Sequence, residues 1–241
     1  MIDFKKISDF ILSFIFTKRC RYCNNLCNIT DEICEKCADS IPSIDGEICF
    51  NCGIEKALCK KCEHKHFYES VCAPYYYEGA PKHSVIHLKY VATPRIVDSL
   101  SYDMVSCVKK HYENLDFDFC TYVPMHIDNV NERGFNQSKL LAERVSAELN
   151  IPCYELLIKD FKTSSQHRLP QIMRSGNVLG AISFNQASSV NIAGSRILLC
   201  DDIKTTGSTL DECAKVLLFE GCAEVRCVTA CIGKKEKTES L

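Results

Sequence analysis

The sequence predicts an α/β protein, a parallel sheet flanked by helices, preceded by a small cysteine-rich module. Three observations predict it. Strand-like apolar runs alternate with helical periodicity between residues 67 and 233. Nine of the 18 cysteines lie between Cys20 and Cys62. The apolar run Ile197–Cys200 ends in Asp201 and Asp202 and passes at once into a Thr/Gly/Ser-rich turn and a helix. The expected division is 1–66 for an N-terminal helix and the cysteine module, 67–233 for the α/β domain and 234–241 for a charged tail.

At 241 residues there is room for one ordinary domain of about 150 residues and a small module. Lys and Arg number 29 against 31 Asp and Glu, a net charge of −2, so no global basic field draws the chain to nucleic acid or membrane. No run of 18 apolar residues exists, so no transmembrane helix is expected. Phe4 to Phe16 is apolar but interrupted by Lys5, Lys6 and Asp9, and no small-residue cleavage site follows. Ile7, Phe10, Ile11, Phe14 and Ile15 share one helical face, which predicts a helix docked on the rest of the protein. A membrane-surface or partner-binding helix is the alternative.

Four C-x-x-C pairs follow: Cys20/Cys23, Cys34/Cys37, Cys49/Cys52 and Cys59/Cys62. A disulfide scaffold would not repeat such pairs, which argues for a reducing cytoplasm and metal ligation. Two such knuckles complete a tetrahedral Cys₄ site, the usual structural zinc arrangement, so two structural Zn²⁺ ions are expected. Spacers of ten residues in the first half and six in the second suit short hairpins, hence two successive zinc ribbons. A cross-brace joining the first pair to the third and the second to the fourth is the alternative. An iron–sulfur cluster and redox thiols are rival uses. Cys27 is left over as a spare thiol. Residues 1–66 hold little apolar material, so metal is expected to fold them, structural zinc supplying about 10–16 kcal/mol of apparent binding energy. The module carries ten basic and ten acidic residues, so it is not basic overall, although Lys18-Arg19-Cys20-Arg21 and Lys60, Lys61, Lys65 form local clusters.

After a linker from His66, a strand is expected at Val71–Tyr77, with Glu78-Gly79 as a turn. A helix follows Pro94 over Arg95–Glu113, and Cys120–Val123 is a strand stopped by Pro124. Gln137–Asn150 is an amphipathic helix with Leu140, Leu141, Val145 and Leu149 on one face. Later strands are expected near Ala181–Phe184, Ile197–Cys200 and Glu224–Cys231. Leu210, Cys213, Ala214 and Leu217 recur at helical spacing before Gly221.

The chemistry concentrates at Ile197–Thr209. Backbone N–H groups and hydroxyls at a helix N-terminus suit a phosphate dianion. Two carboxylates just before it suit the vicinal hydroxyls of a ribose, or a metal held by them. Together they describe a site for a sugar 5-phosphate. A Walker B strand also ends in acids, but its Gly-x₄-Gly-Lys-Ser/Thr partner is missing, which disfavours a nucleotide triphosphatase. Two segments are candidates to complete the site. Val123-Pro-Met-His126 followed by Arg133-Gly134-Phe-Asn136-Gln137 suits a second anion, with Arg133 as a charge clamp and Gly134 admitting the backbone. A capping Asn and a surface Arg are the plainer alternative. Lys159–Asn177 carries Lys159, Lys162, His167, Arg168 and Arg174 against one acid, Asp160, and reads as a lid over a phosphate-rich ligand or as a solvated loop.

The stretch Asp201-Asp202-x-x-Thr205-Thr206-Gly207-Ser208-Thr209 resembles the phosphoribosyl diphosphate (PRPP) signature of type I phosphoribosyltransferases. The resemblance implies a type I phosphoribosyltransferase-like sheet. It places the 5-phosphate on Thr205, Thr206, Gly207, Ser208 and Thr209, and the ribose hydroxyls on Asp201 and Asp202, with Mg²⁺ accompanying PRPP. Purine-salvage members carry Asp where this chain has Thr205, which argues against hypoxanthine or guanine and leaves the acceptor open. Across residues 10–232 the chain is similar to the ComF/GntX-type competence proteins. The zinc knuckles, Arg133-Gly-Phe-Asn-Gln137 and the acid–loop signature occur in that family's order. So do Tyr77-Glu78-Gly79, His87-x-Lys89-Tyr90, Thr163-x-x-Gln166-x-x-Leu169 and Arg174-x-x-Asn177. Gln166 and Arg174 thereby join Arg133 and Gly134 as candidates for the diphosphate or its covering loop.

That resemblance implies the handling of incoming single-stranded DNA during natural transformation, with a DNA-translocating helicase as partner. It implies a cytoplasmic protein peripheral to membrane-associated uptake machinery. One departure stands out: family members are Arg-rich where this chain has Ile127-Asp-Asn-Val-Asn-Glu132, which would weaken a diphosphate or DNA contact. Turnover with an unknown acceptor and a non-catalytic DNA or helicase adaptor with a relic PRPP site both stay open.

Overall fold

The computed structural model describes residues 18–27, 31–59, 62, 66–112, 116–159 and 181–234. The expected N-terminal helix, Lys60, Lys61, Lys65, Gln166, Arg174 and the tail from 235 lie outside them.

The sheet is parallel throughout. Its strands are β1 (Ser70–Cys72), β2 (Tyr75–Tyr76), β3 (Phe119–Tyr122), β6 (Arg196–Lys204) and β7 (Glu224–Ile232). The spatial order is β1-β7-β6-β3, with β2 also against β7. β1 meets β7 at Arg226–Val228 and β2 meets it at Cys231–Ile232. The single strand expected at Val71–Tyr77 is therefore two short ones in line. Pro74 falls in the break, where it has no N–H to give a ladder. Among the described residues the α-helices are α1 (Glu35–Ala38), α2 (Gly79–Tyr90), α3 (Pro94–His111), α4 (Ile127–Arg133), α5 (Gln137–Leu149) and α6 (Ser208–Phe219).

Two differences from expectation concern the site. Glu78-Gly79 does not close a turn; Glu78 is the N-cap residue of α2. The segment near 181–184 does not join the main sheet. It forms β5 (Ile182–Phe184), antiparallel to β4 (Leu157–Lys159), with Leu157 opposite Phe184.

Apolar burial lies on both faces of the sheet. Successive side chains of a strand point to opposite faces. Leu198 and Cys200 join one cluster with α2, α3 and α5, while Ile197 and Leu199 join another with α6. The first cluster also takes in Cys20, Tyr22, Cys37, Ile44 and Ile48, so the cysteine module shares the core of the sheet. A buried polar network fastens it. Arg21 reaches Asp103 on α3 at 2.5 Å, Tyr22 Oη donates to the same carboxylate at 3.1 Å, and the Tyr22 and Tyr75 hydroxyls lie 2.7 Å apart. Ser84 Oγ on α2 donates to Tyr22 O at 2.7 Å.

Candidate functional site

β6 is longer than its apolar run. It continues through Asp201 and Asp202 to Lys204, so the acids sit within the strand and not beyond its tip. Asp201 pairs in register with Thr229 of β7 and is 8% exposed. Its Oδ1 accepts from Ser138 Oγ at 2.7 Å and from the Asp202 N–H at 2.9 Å. Lys89 Nζ, from the last turn of α2, stands 3.7 Å from Asp202 Oδ2. Burial pushes the Asp201 carboxyl up to about 7, with repulsion from Asp202 adding to it and Ser138 and Lys89 opposing. Burial raises Asp202 as well, against the opposing charges of Lys89 and Arg133. Two adjacent acids so placed lack the water that would stabilise their charge.

The loop from Thr205 turns directly into α6. Gly207, with φ 88°, is the N-cap residue and brings no side chain of its own to cap the helix. A Cβ there would stand 3.1 Å from both Lys204 Cε and Tyr68 Oη, and left-handed backbone favours glycine. Thr206 Oγ1 lies 3.0 Å from Ser208 Oγ and accepts from the Ser208 N–H at 3.3 Å. Hydroxyls and the positive end of the α6 dipole therefore meet at one point, the arrangement an anion needs. Thr205 and Thr206 are exposed beside it.

The second anion segment holds a helix where a loop was expected. His126 is the N-cap residue of α4, its Nδ1 accepting from Asp128 N at 3.2 Å. Gly134 ends the helix with φ 83°. Asn136 takes the capping role of the plainer alternative. Its Oδ1 accepts from Ser138 N at 2.9 Å while its Nδ2 donates to Val123 O at 3.1 Å. That double bond ties the start of α5 to the end of β3 and presents Ser138 to Asp201. Arg133 is exposed, and its charge acts on Asp202. Lys159, first of the basic residues, ends β4; burial lowers its pKa and the charges of Cys213 and Asp201 oppose this. Lys89, Ser138 and Lys204 escaped the sequence reading, although His87-x-Lys89-Tyr90 had marked the first. A cleft of about 590 Å³ opens beside the site, lined among others by Tyr122, His126, Asn136, Lys139, Glu155 and Lys159.

Each half of the cysteine module gathers its own four thiols. In Cys20, Cys23, Cys34 and Cys37, and in Cys49, Cys52, Cys59 and Cys62, the sulfurs of a group all lie within 4.8 Å of one another. The ribbons are successive and not cross-braced, and Cys27 belongs to neither group. Four sulfurs about 2.3 Å from a central zinc would stand about 3.8 Å apart. Cys23–Cys34 and Cys52–Cys59 separations of 3.7 and 3.6 Å fit that donor set. Burial opposes ionisation of Cys20, yet N–H groups of Cys34, Cys23 and Tyr22 bring it down to about 6. Each group can hold a metal ion.

Residues 136–241 match the phosphoribosyl transferase domain family. The chain is 27% identical over 201 residues to the competence protein ComFC of Bacillus subtilis, covering 79% of this chain and 80% of that one. It is 35% identical over 105 residues to competence protein F of Haemophilus influenzae, covering 43% and 45%. It is 34% identical over 100 residues to the DNA utilization protein YhgH of Escherichia coli K12, covering 41% and 42%. In the last two the match spans less than half the relative's length. The chain is thus similar to the ComF-type competence proteins, and its C-terminal part matches a phosphoribosyl transferase domain. It joins a zinc-ribbon-like module to a phosphoribosyl transferase domain. Among the described residues no helix is long and apolar enough to cross a membrane.

Proposed function

We propose that this chain binds PRPP at the junction of β6 and α6 and works in DNA uptake, handling incoming single-stranded DNA. The observation that carries the proposal is the adjacent carboxylates of buried Asp201 and half-buried Asp202 just before a helix that starts at a glycine N-cap. Two acids held at such cost, and an anion site next to them, match a ligand with hydroxyls at one end and a phosphate at the other. Asp201 and Asp202 accept the ribose hydroxyls; Thr205 to Thr209 hold the 5-phosphate. Arg133 and Lys159 face the diphosphate, with Gly134 giving the backbone room. Mg²⁺, when bound with PRPP, neutralises diphosphate charge. The two Cys₄ groups carry structural zinc. The domain division follows at residue 66, with the α/β domain over 67–233. The DNA-uptake role rests on the competence and DNA-utilization names of the relatives, with a DNA-translocating helicase as the partner that role needs.

Turnover is a separable matter. In an active enzyme the acid pair stabilises the positive charge that develops on the ribose as diphosphate leaves, and an acceptor enters from the cleft between α4 and β4. One observation favours a binding module without turnover: α4 has a single cation, Arg133, alongside Asp128 and Glu132. Calorimetric titration of the zinc-loaded protein with PRPP and Mg²⁺ tests the site, with Asp201→Ala/Asp202→Ala as control. Binding that the double variant abolishes supports the proposal; a wild type that takes up no PRPP refutes it. Diphosphate release in an acceptor screen then separates enzyme from module.

A further inference from the structure

Tyr68 joins the second four-cysteine group to the phosphate loop. It is 2% exposed, and its hydroxyl donates to Asn51 O at 3.0 Å. The same hydroxyl stands 3.1 Å from where a Cβ on Gly207 would be, so it lies against the turn that starts α6. Asn51 sits between Cys49 and Cys52. The preceding carbonyl, Phe50 O, accepts from Val71 N on β1 at 2.8 Å. Two consecutive carbonyls of one knuckle thus hold Tyr68 and the sheet edge. Around the ring, His66 stacks on Tyr68 at 4.5 Å and 12°. Phe67 N donates at 2.5 Å to Asp211 Oδ1, in the first turn of α6. Residues 66–68 are therefore clamped between the knuckle and the start of α6.

We infer that Tyr68 is a positioning residue that couples metal occupancy at Cys49, Cys52, Cys59 and Cys62 to ligand affinity at Thr205–Thr209. The inference deepens the sugar-phosphate reading and rests on it. A metal that fixes Cys49 and Cys52 fixes the peptide between them, and with it the acceptor of the Tyr68 hydroxyl. When the knuckle opens, a buried phenol loses its partner and the loop around Gly207 loses its support. Coupling of two binding sites is reciprocal, so a ligand on the loop tightens the second metal by the same factor. The first group fastens elsewhere, through Arg21 and Tyr22 to Asp103 and through Tyr22 O to Ser84. Its metal should be indifferent to the loop.

The test uses the full zinc-loaded chain in equilibrium competition with a chelator, with and without PRPP and Mg²⁺. Alkylation of freed thiols, read by mass spectrometry, separates peptides bearing Cys34 from those bearing Cys59. PRPP is expected to protect the second group about fivefold, the worth of one buried hydrogen bond, and to leave the first unchanged. Tyr68→Phe keeps the ring; it should bind PRPP about fivefold more weakly with two zinc ions retained, and lose the protection. Equal protection of both groups or of neither, or a Tyr68→Phe variant that binds PRPP as tightly as wild type, overturns the coupling alone. A wild type holding two zinc ions that binds no PRPP overturns the sugar-phosphate reading itself, and the coupling with it.

Discussion

Replacing Asp201 with Asn should stabilise the protein, and should do so only above acidic pH. The folded carboxyl is pushed from its ordinary 3.8 up to about 7, first by burial and then by Asp202. The sign follows from proton counts. Unfolded, Asp201 gives up its proton near pH 4; folded, it keeps the proton to about pH 7. Between those values the folded state binds the extra proton, so stability falls as pH rises and levels off above 7. At about 1.4 kcal/mol per tenfold, the rise corresponds to a ceiling of about 4 kcal/mol. Asp202 relaxes once its neighbour is neutral, and local rearrangement absorbs part of the strain, so a gain of about 2 kcal/mol at pH 8 is the working figure. The amide oxygen of Asn can still accept from Ser138 Oγ and the Asp202 N–H, which keeps the local hydrogen bonds. The assay is urea unfolding of wild type and Asp201→Asn from pH 5 to pH 8 in excess zinc, so that metal loss common to both cancels. The difference in stability should grow with pH, while PRPP binding is lost. A difference that stays constant across the range would refute the reasoning, as would a variant less stable than wild type at pH 8.

Gly207→Ala should cost about 1–2 kcal/mol in thermal melts, because it places a Cβ on a left-handed residue, and it should weaken PRPP binding at least tenfold. Asp103→Ala strands the half-buried Arg21 and removes an acceptor from Tyr22; urea unfolding should show a loss of about 3 kcal/mol, with PRPP affinity little changed in the folded fraction.

What could be read from sequence was what is local. The cysteine pairs, the β6 run and the loop before α6 are each specified locally; the first and last stand where the pattern put them, while β6 runs on through the acids to Lys204. The spacers of ten and six residues favoured successive ribbons, and the thiols group that way. The helix α2 was missed because its buried face mixes Ala80, Pro81 and Ser84 with Val85 and Leu88, a weak apolar stripe that starts at a glycine. The strand expected near Ala181–Phe184 pairs with β4, which no sequence pattern marked, and not with the main sheet, because three apolar-rich residues do not reveal their partner strand. The contacts that tune the acid pair are long-range. Ser138 lies 63 positions from Asp201 and Lys89 comes from the far side of the chain, so only the closed sheet brings them together.

The division of cations around the pair says how the site is built. Lys89 approaches Asp202 from α2, and Arg133 acts on it from the end of α4. Lys159, at the end of β4, is close enough for the charge of Asp201 to raise its pKa against the effect of burial. None of the three lies near its partner in sequence: Lys89 comes from the connection between β2 and β3, and Arg133 and Lys159 from the one between β3 and β6; open α/β sheets bind ligands at the carboxyl ends of their strands. A pair maintained only for folding would be better replaced by apolar side chains, since β6 is already buried between two apolar clusters at Leu198, Leu199 and Cys200. Keeping two acids there, each opposed by burial and each given an external cation, costs stability that apolar residues would return. That cost makes sense for groups whose charge is needed when a ligand arrives, and the glycine-started α6 beside them, with its hydroxyls, supplies the complementary half of such a site.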